Sequence, residues 1–302
     1  MGRYEQLAAF VEVVDQQSFS AAGEKMGLVK SVLSRRVSEL ETRLGVKLLN
    51  RTTRKLSLTG AGEQLYQQTS VLLSDLLDAE QKVSDEQVTL SGRLKIAAPL
   101  SFGYRHLSAA ISEFVKLHPE IDISLDLNDR EIDIVAEGFD MTIRIGELMD
   151  STLIARNLGT IRFVTAASDA YLKQHGEPKH PKDLVNHQGL LYSNLTAKQQ
   201  WQFIDNKQIV VAIPHTRLSV NNGDFLSKAA INGLGIVNSP TFILNEYIKT
   251  GELREILKGF QAMPTGIYAL FPPGRLIPRR VKVLVEFLQK QYGDLPEWDK
   301  GL

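Results

Sequence analysis

FSAAGEKMGLVKSVLSRRVSELETRLGVKLLNRTTRKLSLTGAGEQLY, residues 19–66, contains two short helical periods, a glycine break between them and a hairpin pattern behind them. Ser18 or Ser20 can cap the first helix, whose small pair Ala21-Ala22 lets a neighbouring helix approach closely. Gly27 ends it, because glycine takes the backbone angles of a tight turn without penalty. A second helix is expected from Lys30 to Gly45, a natural residue just past a helix C-terminus. Its apolar stripe is Leu33, Val37, Leu40 and Leu44, and the opposite face carries Lys30, Ser31, Ser34, Arg35 and Ser38. Two short helices joined at a glycine, the second exposing small polar and basic groups on its N-terminal half, describe a helix-turn-helix. Such groups suit a major groove: arginine pairs bidentately with guanine, serine bonds base edges or phosphates, and short side chains let the helix sit deep. The run VKLLNRTTRKLSLTGAG reads as a β-hairpin wing with Arg51, Arg54 and Lys55 around its tip, placed for backbone phosphates or an adjacent minor groove.

Working outward, Leu7, Phe10, Val11 and Val14 recur at helical spacing and give a helix to about residue 16. Glu5, Glu12 and Asp15 interrupt its apolar positions, so this start is an amphipathic helix and not the continuous apolar core of a signal peptide. On the other side, Thr59 to Val88 has no proline, and its glycines, Gly60 and Gly62, both fall in the first turn. Leu65, Leu72 and Ala79 repeat every seven residues, with Thr69, Leu76 and Val83 four further on, as in the seam of a two-stranded coil. A helix packed on its own domain reads the same way.

The 302 residues carry 35 basic and 35 acidic side chains, and this zero balance at first argues against nucleic acid. It hides an asymmetry. Residues 25–55 hold nine cations (Lys25, Lys30, Arg35, Arg36, Arg43, Lys47, Arg51, Arg54, Lys55) against Glu39 and Glu41, a balance of +7. Residues 56–90 hold six acids (Glu63, Asp75, Asp78, Glu80, Asp85, Glu86) against Lys82, a balance of −5. So sharp a block is the footprint of a phosphate-facing surface followed by a solvent-facing one, although a solvated basic face is the plain alternative. Arg36 points partly toward the flank and ranks below Arg35, while Arg43 and Glu39 have the spacing of an ordinary i,i+4 surface pair.

Residues 19–66 closely resemble the DNA-binding region of the LysR-type transcriptional regulators. The matching features are the SAA of the second helix, the S-x-x-S-R core of the third, the LE-x-x-LG-x-x-LL-x-R that follows, and the LT-x-AG opening the next helix. Carried over position by position, the resemblance puts Lys30, Ser31, Ser34 and Arg35 at the groove and Arg51, Arg54 and Lys55 in the wing. Many members have proline near Ser31. This chain has Lys30-Ser31-Val32, so the start of its recognition helix is expected to be shaped differently. The resemblance also implies that the helix after the wing pairs two subunits on a partly palindromic operator, giving a homodimer or homotetramer.

From Gly92 onward strands and helices alternate, which indicates an α/β sandwich with mainly parallel strands. Strands are expected at RLKIAAP (93–99), IDISLDL (121–127), MTIRIG (141–146), IRFVTAAS (161–168), RLSV (217–220), GIVNS (235–239) and IYALFPP (267–273), with helices around 103–117, 223–233 and 278–291. This part is similar to the family's effector domain, which implies the two-lobed α/β fold of periplasmic solute-binding proteins. The organisation expected is a winged helix-turn-helix domain (1–58), a linker and dimerisation helix (59–90) and an effector-binding domain (91–302). Its first lobe would hold 92–162 and 268–292 and its second 163–267, with hinge strands near 161–167 and 264–270. A small-molecule effector would lie between the lobes at strand C-termini and helix N-termini, where backbone amides favour an anion. That geometry nominates Ser101, Asn128, Gly146, Asn194 and Asn222. Ser101 serves equally as a helix cap, Gly146 as a turn residue and Arg144 as a structural pair. Trp201 and Phe203 are read as packing residues before cleft walls.

Enzyme chemistry finds no support in the sequence. No pair of its six histidines has the spacing of a helical metal site, and no nucleophile elbow, Walker loop or dinucleotide fingerprint occurs. The chain has no cysteine, which excludes disulfides and thiolate ligands and makes the cytoplasm the default location. No run of about eighteen uncharged apolar residues exists to span a membrane. No catalytic residue, metal or cofactor is therefore expected. The leading reading is a ligand-responsive DNA-binding regulator, its effector a small polar or anionic metabolite. The alternatives are a solute receptor whose N-terminal domain serves interaction only, and an enzyme that turns its ligand over.

Overall fold

Ser18 caps the second helix as its side chain accepts from the Ala21 N–H at 3.3 Å, and Gly27 and Gly45 close the second and third helices at φ +63° and +70°. These punctuation residues fix α1 (Arg3–Gln16), α2 (Phe19–Met26) and α3 (Lys30–Leu44) where the periodicity placed them. The wing follows as β1 (Leu49–Arg51) paired antiparallel with β2 (Leu56–Leu58), and then α4 (Gly60–Val83). The computed structural model describes residues 2–51, 56–83, 90–148, 153–194, 201–272, 277–293 and 296–300.

One core gathers the three-helix unit: Ala9, Phe10, Val13, Ala22, Leu33, Val37, Leu40, Leu48 and Leu49 are buried together. Burial of each large aliphatic or aromatic side chain there contributes roughly 1.5–3 kcal/mol. Leu44 departs from the expected stripe and is 41% exposed. The inward position at this end of α3 belongs to Glu41. Its buried carboxylate accepts from Lys47 Nζ at 2.9 Å and from the Leu48 and Leu49 N–H groups at 2.9 and 3.2 Å, so it ties the helix to the start of the wing. Burial alone would raise the Glu41 pKa, but the bonds from Lys47, Leu48 and Leu49 outweigh it and lower the pKa.

The LT-x-AG motif has a physical account. Thr59 Oγ1 donates to the Lys47 carbonyl at 2.7 Å and accepts from the Gly62 N–H at 3.0 Å, which caps α4. A Cβ on Gly62 would fall 2.0 Å from the Leu48 carbonyl oxygen, so only glycine allows α4 this close to the wing. Further along α4 the expected seam divides. Leu65 packs on the three-helix core and Thr69 is buried, whereas Leu72 and Leu76 are 64% and 43% exposed. The Ala79 and Val83 side chains and residues 84–89 lie outside the described residues.

The chain divides into two compact units, residues 1–92 with 135–138, and residues 93–134 with 139–302. In the second, β3 (Gly92–Ala98) leads through Pro99 into α5 (Leu100–Phe102), a π-helical turn (Gly103–Leu107) and α6 (Ser108–Leu117). Then come β4 (Ile121–Leu127), β5 (Met141–Ile145), β6 (Ile154–Ile161), β7 (Phe163–Ala167) and α7 (Asp169–His175). The next strands are β8 (Gln188–Tyr192), β9 (Trp201–Asp205), β10 (Gln208–Ala212) and β11 (His215–Val220). After them α8 (Gly223–Ile231), β12 (Ile236–Pro240), α9 (Thr241–Lys249), β13 (Arg254–Ile256) and β14 (Gln261–Ala262) follow. The last elements are β15 (Thr265–Phe271), α10 (Arg279–Tyr292) and a 3₁₀ turn (Glu297–Asp299).

Two five-stranded sheets result, in orders β4-β3-β5-β15-β6 and β11-β8-β12-β7-β13, with β10-β9-β14 as a smaller third sheet. They are mixed, which corrects the expectation of mainly parallel strands. β3 runs parallel to β5, and β8 parallel to β11 and β12. Antiparallel to their neighbours are β15 against β5 and β6, and β7 against β12 and β13. The reason is that β6, β7 and β15 are the strands by which the chain passes between sheets, and a strand that enters from the other sheet is free to run against its neighbours. All of β15 pairs in the first sheet, so residues 265–267, expected in the second lobe, belong with the first. Trp201 and Phe203 are buried in the core of the second-sheet side, as packing residues. Among the described residues no helix is long and apolar enough to cross a membrane.

Glu41→Gln should lower the stability of the full-length protein by about 1–3 kcal/mol, as expected when a charged hydrogen-bond acceptor is lost from a buried site. The lowered pKa means that the stabilisation is fully present above the ordinary carboxylate pKa and is lost as the pH falls below it, through the lowered pKa of the folded state. Denaturant melts from pH 7 to 3 should therefore converge for the two proteins at the acid end. Parallel curves at every pH would refute this role of the charge.

Candidate DNA-reading face and effector site

With Leu33, Val37 and Leu40 turned wholly inward, the helical period leaves Lys30, Ser31 and Arg35 exposed and Ser34 half-buried on the far side of α3. Arg35 is 65% exposed at its side chain and lies 3.7 Å from Glu39 one turn on, a contact loose enough to give up. Glu39 also accepts from Gln6 Nε2 at 3.3 Å, and Arg43 Nε donates to Gln6 Oε1 at 3.1 Å. The expected Glu39–Arg43 pair is thus replaced by a bridge through Gln6 of α1, which braces α3 from behind. The N-cap of α3 is Val29, which offers no side-chain acceptor. Of the wing cations, Arg54, Lys55 and the Arg51 side chain lie outside the described residues.

The second site is built where three strands of the two sheets end. Ser101, 6% exposed, follows β3 and the N-capping Pro99, and its buried Oγ has no hydrogen-bond partner among the described residues. It therefore caps nothing. Beside it the Leu100 N–H donates to Asp129 Oδ1 at 3.2 Å. The anion drawn to this helix N-terminus is thus the protein's own carboxylate, one residue past Asn128. From the second sheet, Asn194 donates to the Asp129 carbonyl, and the Tyr192 hydroxyl at the end of β8 faces the Asp129 carboxylate and Asn194. Burial raises the Asp129 pKa, although the bonds from Leu100 and Tyr192 act to lower it. Burial and then the Asp129 charge also push up the pKa of the Tyr192 hydroxyl, which stays protonated.

The structure therefore brings Ser101, the Asn128-Asp129 turn and Asn194 together. The other nominated side chains have local work. Asn128 Nδ2 donates to Asp126 Oδ1 at 2.8 Å and its Oδ1 accepts from the Arg130 N–H at 3.1 Å. Asn222 caps α8 by accepting from the Phe225 N–H at 2.8 Å. Gly146 sits at φ +145°, in glycine territory, and its N–H donates to the Gly266 carbonyl at 3.1 Å. Asp129 and Tyr192 were missed: Asp129 stands just past the expected strand 121–127, whereas no strand had been expected where β8 ends at Tyr192. A third missed residue, Arg105 in the π turn, donates through Nε to Asp224 at 2.7 Å and through its terminal nitrogens to Glu246 at 3.3 Å and Tyr247 at 3.1 Å. It pins the first-sheet helix to α8 and α9. Among the described residues no cluster of His, Asp and Glu could hold a metal ion.

Two family models match this chain: "Bacterial regulatory helix-turn-helix protein, lysR family" over residues 4–63 and "LysR substrate binding domain" over residues 87–293. The chain belongs to the LysR family. It is a transcriptional regulator with a helix-turn-helix DNA-binding domain and an effector-binding domain, in a family that is not enzymatic. LysR regulators bind DNA and small-molecule effectors and form oligomers. An uncharacterised HTH-type transcriptional regulator of Haemophilus influenzae is 35% identical over 93% of this chain and 98% of its own length. The HTH-type transcriptional regulator PtxR of Pseudomonas aeruginosa is 34% identical, with 96% and 93% covered. Among solved structures, the LysR-type regulator CrgA of Neisseria meningitidis is similar at a TM-score of 0.60 and 30% identity, over 97% of this chain and 100% of that one.

Because the Ser101 hydroxyl is buried without a partner, Ser101→Ala should leave the thermal stability of this LysR regulator unchanged or slightly raised, within about 0.5 kcal/mol. A capping serine would instead cost about 1 kcal/mol. A clear drop in melting temperature for the variant would show that the hydroxyl has a structural task.

Proposed function

We propose that this regulator reads a partly palindromic operator as a homodimer or homotetramer in the cytoplasm. The boundaries proposed are a DNA-binding domain over 1–58, a linker helix over 59–90 and an effector domain over 91–302. Lys30, Ser31, Ser34 and Arg35 enter the major groove, and Arg51, Arg54 and Lys55 of the wing meet the backbone or the minor groove. The observation that carries this reading is the face of α3, polar and basic on the exposed side and, up to Glu41 at its end, apolar on the buried one. Pairing of subunits through α4 is supported by Leu72 and Leu76, two heptad positions left exposed in the single chain.

The effector proposed is a small polar metabolite held between the two sheets, with Ser101 and Asn194 as contacts and Asp129 and Tyr192 beside them. Asn128, Gly146 and Asn222 support the site through the backbone bonds already described. Since the Asp129 carboxylate occupies the Leu100 amide, a second carboxylate at that end would meet a like charge, and a neutral hydroxyl or amide suits it better. Binding shifts the relation of the two sheets and, through it, the bend imposed on the promoter.

Arg35→Ala should weaken binding to the operator found by genomic footprinting by about tenfold or more, with unchanged melting temperature. Equal affinity of variant and wild type would remove Arg35 from the interface. Replacing Leu72 and Leu76 together by Asp should convert the protein to monomers in light scattering and abolish operator binding. An unchanged oligomer would place the subunit contact elsewhere.

A further inference from the structure

The segment Pro296–Lys300 follows α10, which belongs to the first-sheet side, where Gln289 Nε2 donates to the Asn157 carbonyl of β6 at 2.7 Å. Yet its own polar bonds go to α9, which belongs to the second-sheet side. Thr241, Asn245 and Lys249, spaced four apart, share one face of α9. Thr241 Oγ1 donates to Asp299 Oδ1 at 2.6 Å, Asn245 Nδ2 donates to the Trp298 carbonyl, and Lys249 Nζ donates to the Lys300 carbonyl at 3.2 Å. Asp299 also lies 3.8 Å from the guanidinium of Arg162, the residue between β6 and β7.

The Trp298 ring collects partners from both sides. It lies 4.5 Å from His106, 5.8 Å from Phe102 and 5.5 Å from Tyr292, all carried by the first-sheet side, and 6.1 Å from Phe242 of α9. Phe102 directly follows Ser101. Trp298 and Asp299 are both buried, although they stand in a short 3₁₀ turn where exposed positions are the rule. A buried aromatic that touches two bodies fixes their separation, and a buried carboxylate bonded across them fixes their rotation.

We propose that Trp298 and Asp299 are positioning residues of the effector site, forming a strap that holds α9 and the Ser101 helix in register. The strap is a non-covalent link in addition to the two strand crossovers, and it sets how Ser101 and Asp129 face Tyr192 and Asn194. The link between sheets stands on its own contacts; its consequence for effector binding rests on the proposed inter-sheet site.

Amide hydrogen exchange on the full-length protein, without effector, tests it in wild type, Trp298→Ala, Trp298→Phe and Thr241→Val. Trp298→Ala should speed exchange at least about tenfold in peptides covering 100–107, 188–194 and 241–249, while the β9–β10 hairpin and α1–α3 keep wild-type rates. Trp298→Phe, which retains a ring, should recover most of the protection. Thr241→Val, nearly the same shape without the donor, should show the same pattern at smaller amplitude. Unchanged exchange in those three regions, or an equal rise throughout the chain, would overturn the proposal. If Trp298→Ala does not accumulate as folded protein, Thr241→Val decides the matter alone. If no ligand ever protects the inter-sheet residues, the effector reading fails while this exchange pattern stands.

Discussion

A single residue, Arg162, separates β6 of the first sheet from β7 of the second, and the effector half of the molecule is organised around that covalent constraint. Two sheets joined through this residue, and again where the chain returns at β15, cannot drift apart, but they can turn about these crossovers. Everything that limits the turn converges nearby or opposite. The Arg162 carbonyl accepts from the Thr241 N–H at 2.9 Å, and its side chain faces Asp299. On the site side, Asp129 meets Tyr192 and Asn194; on the flank, Arg105 meets Asp224, Glu246 and Tyr247. The aromatic contacts of Trp298 with Phe242 add to these polar ones.

The N-terminal unit solves the opposite problem. A DNA-reading helix must hold one orientation, so α3 is fixed from behind by an apolar core and at its end by the Glu41 bonds to the wing. Lys47 and Arg43 serve that bracing, while Lys30 and Arg35 are left outward on the opposite face. Thr59 and Gly62 extend the same rigidity to α4, one by capping the helix and the other by having no side chain where the Leu48 carbonyl passes. A zero net charge is compatible with this face because the compensating acids are placed in a different segment of the chain.

How much could be read in advance follows the range of each interaction. The helices of the first sixty residues, their glycine ends and the wing are local patterns, and each appears within a residue or two of its expected place. Leu44 failed because periodicity treats every turn of a helix as equivalent, whereas the stripe is taken over by Glu41 where the wing begins. In the effector half β3, β4, β5, β7, β11, β12 and β15 were legible, β6, β8, β9, β10, β13 and β14 were not expected, and strand direction could not be read, since it depends on which sheet a strand enters from. The residues nominated for an effector divide in the same way. Ser101, nominated from its place after a strand, keeps its hydroxyl without a partner among the described residues. Asn128 and Asn222 were nominated on the same ground but spend their side chains on turns and caps that a sequence cannot distinguish from ligand contacts.

By itself the sequence determined the family, the reading helix and the α/β character of the sensor, because motif spacing and periodicity are properties of neighbours along the chain. Only the tertiary structure decided that Asp129 lies against Leu100, Tyr192 and Asn194 and that Trp298 and Asp299 lie against α9. Asn194 meets Asp129 from 65 residues away, and Asp299 meets Thr241 across 58. Contacts at such separations leave no period in the sequence, since the intervening chain can close the loop in many ways at nearly equal entropic cost.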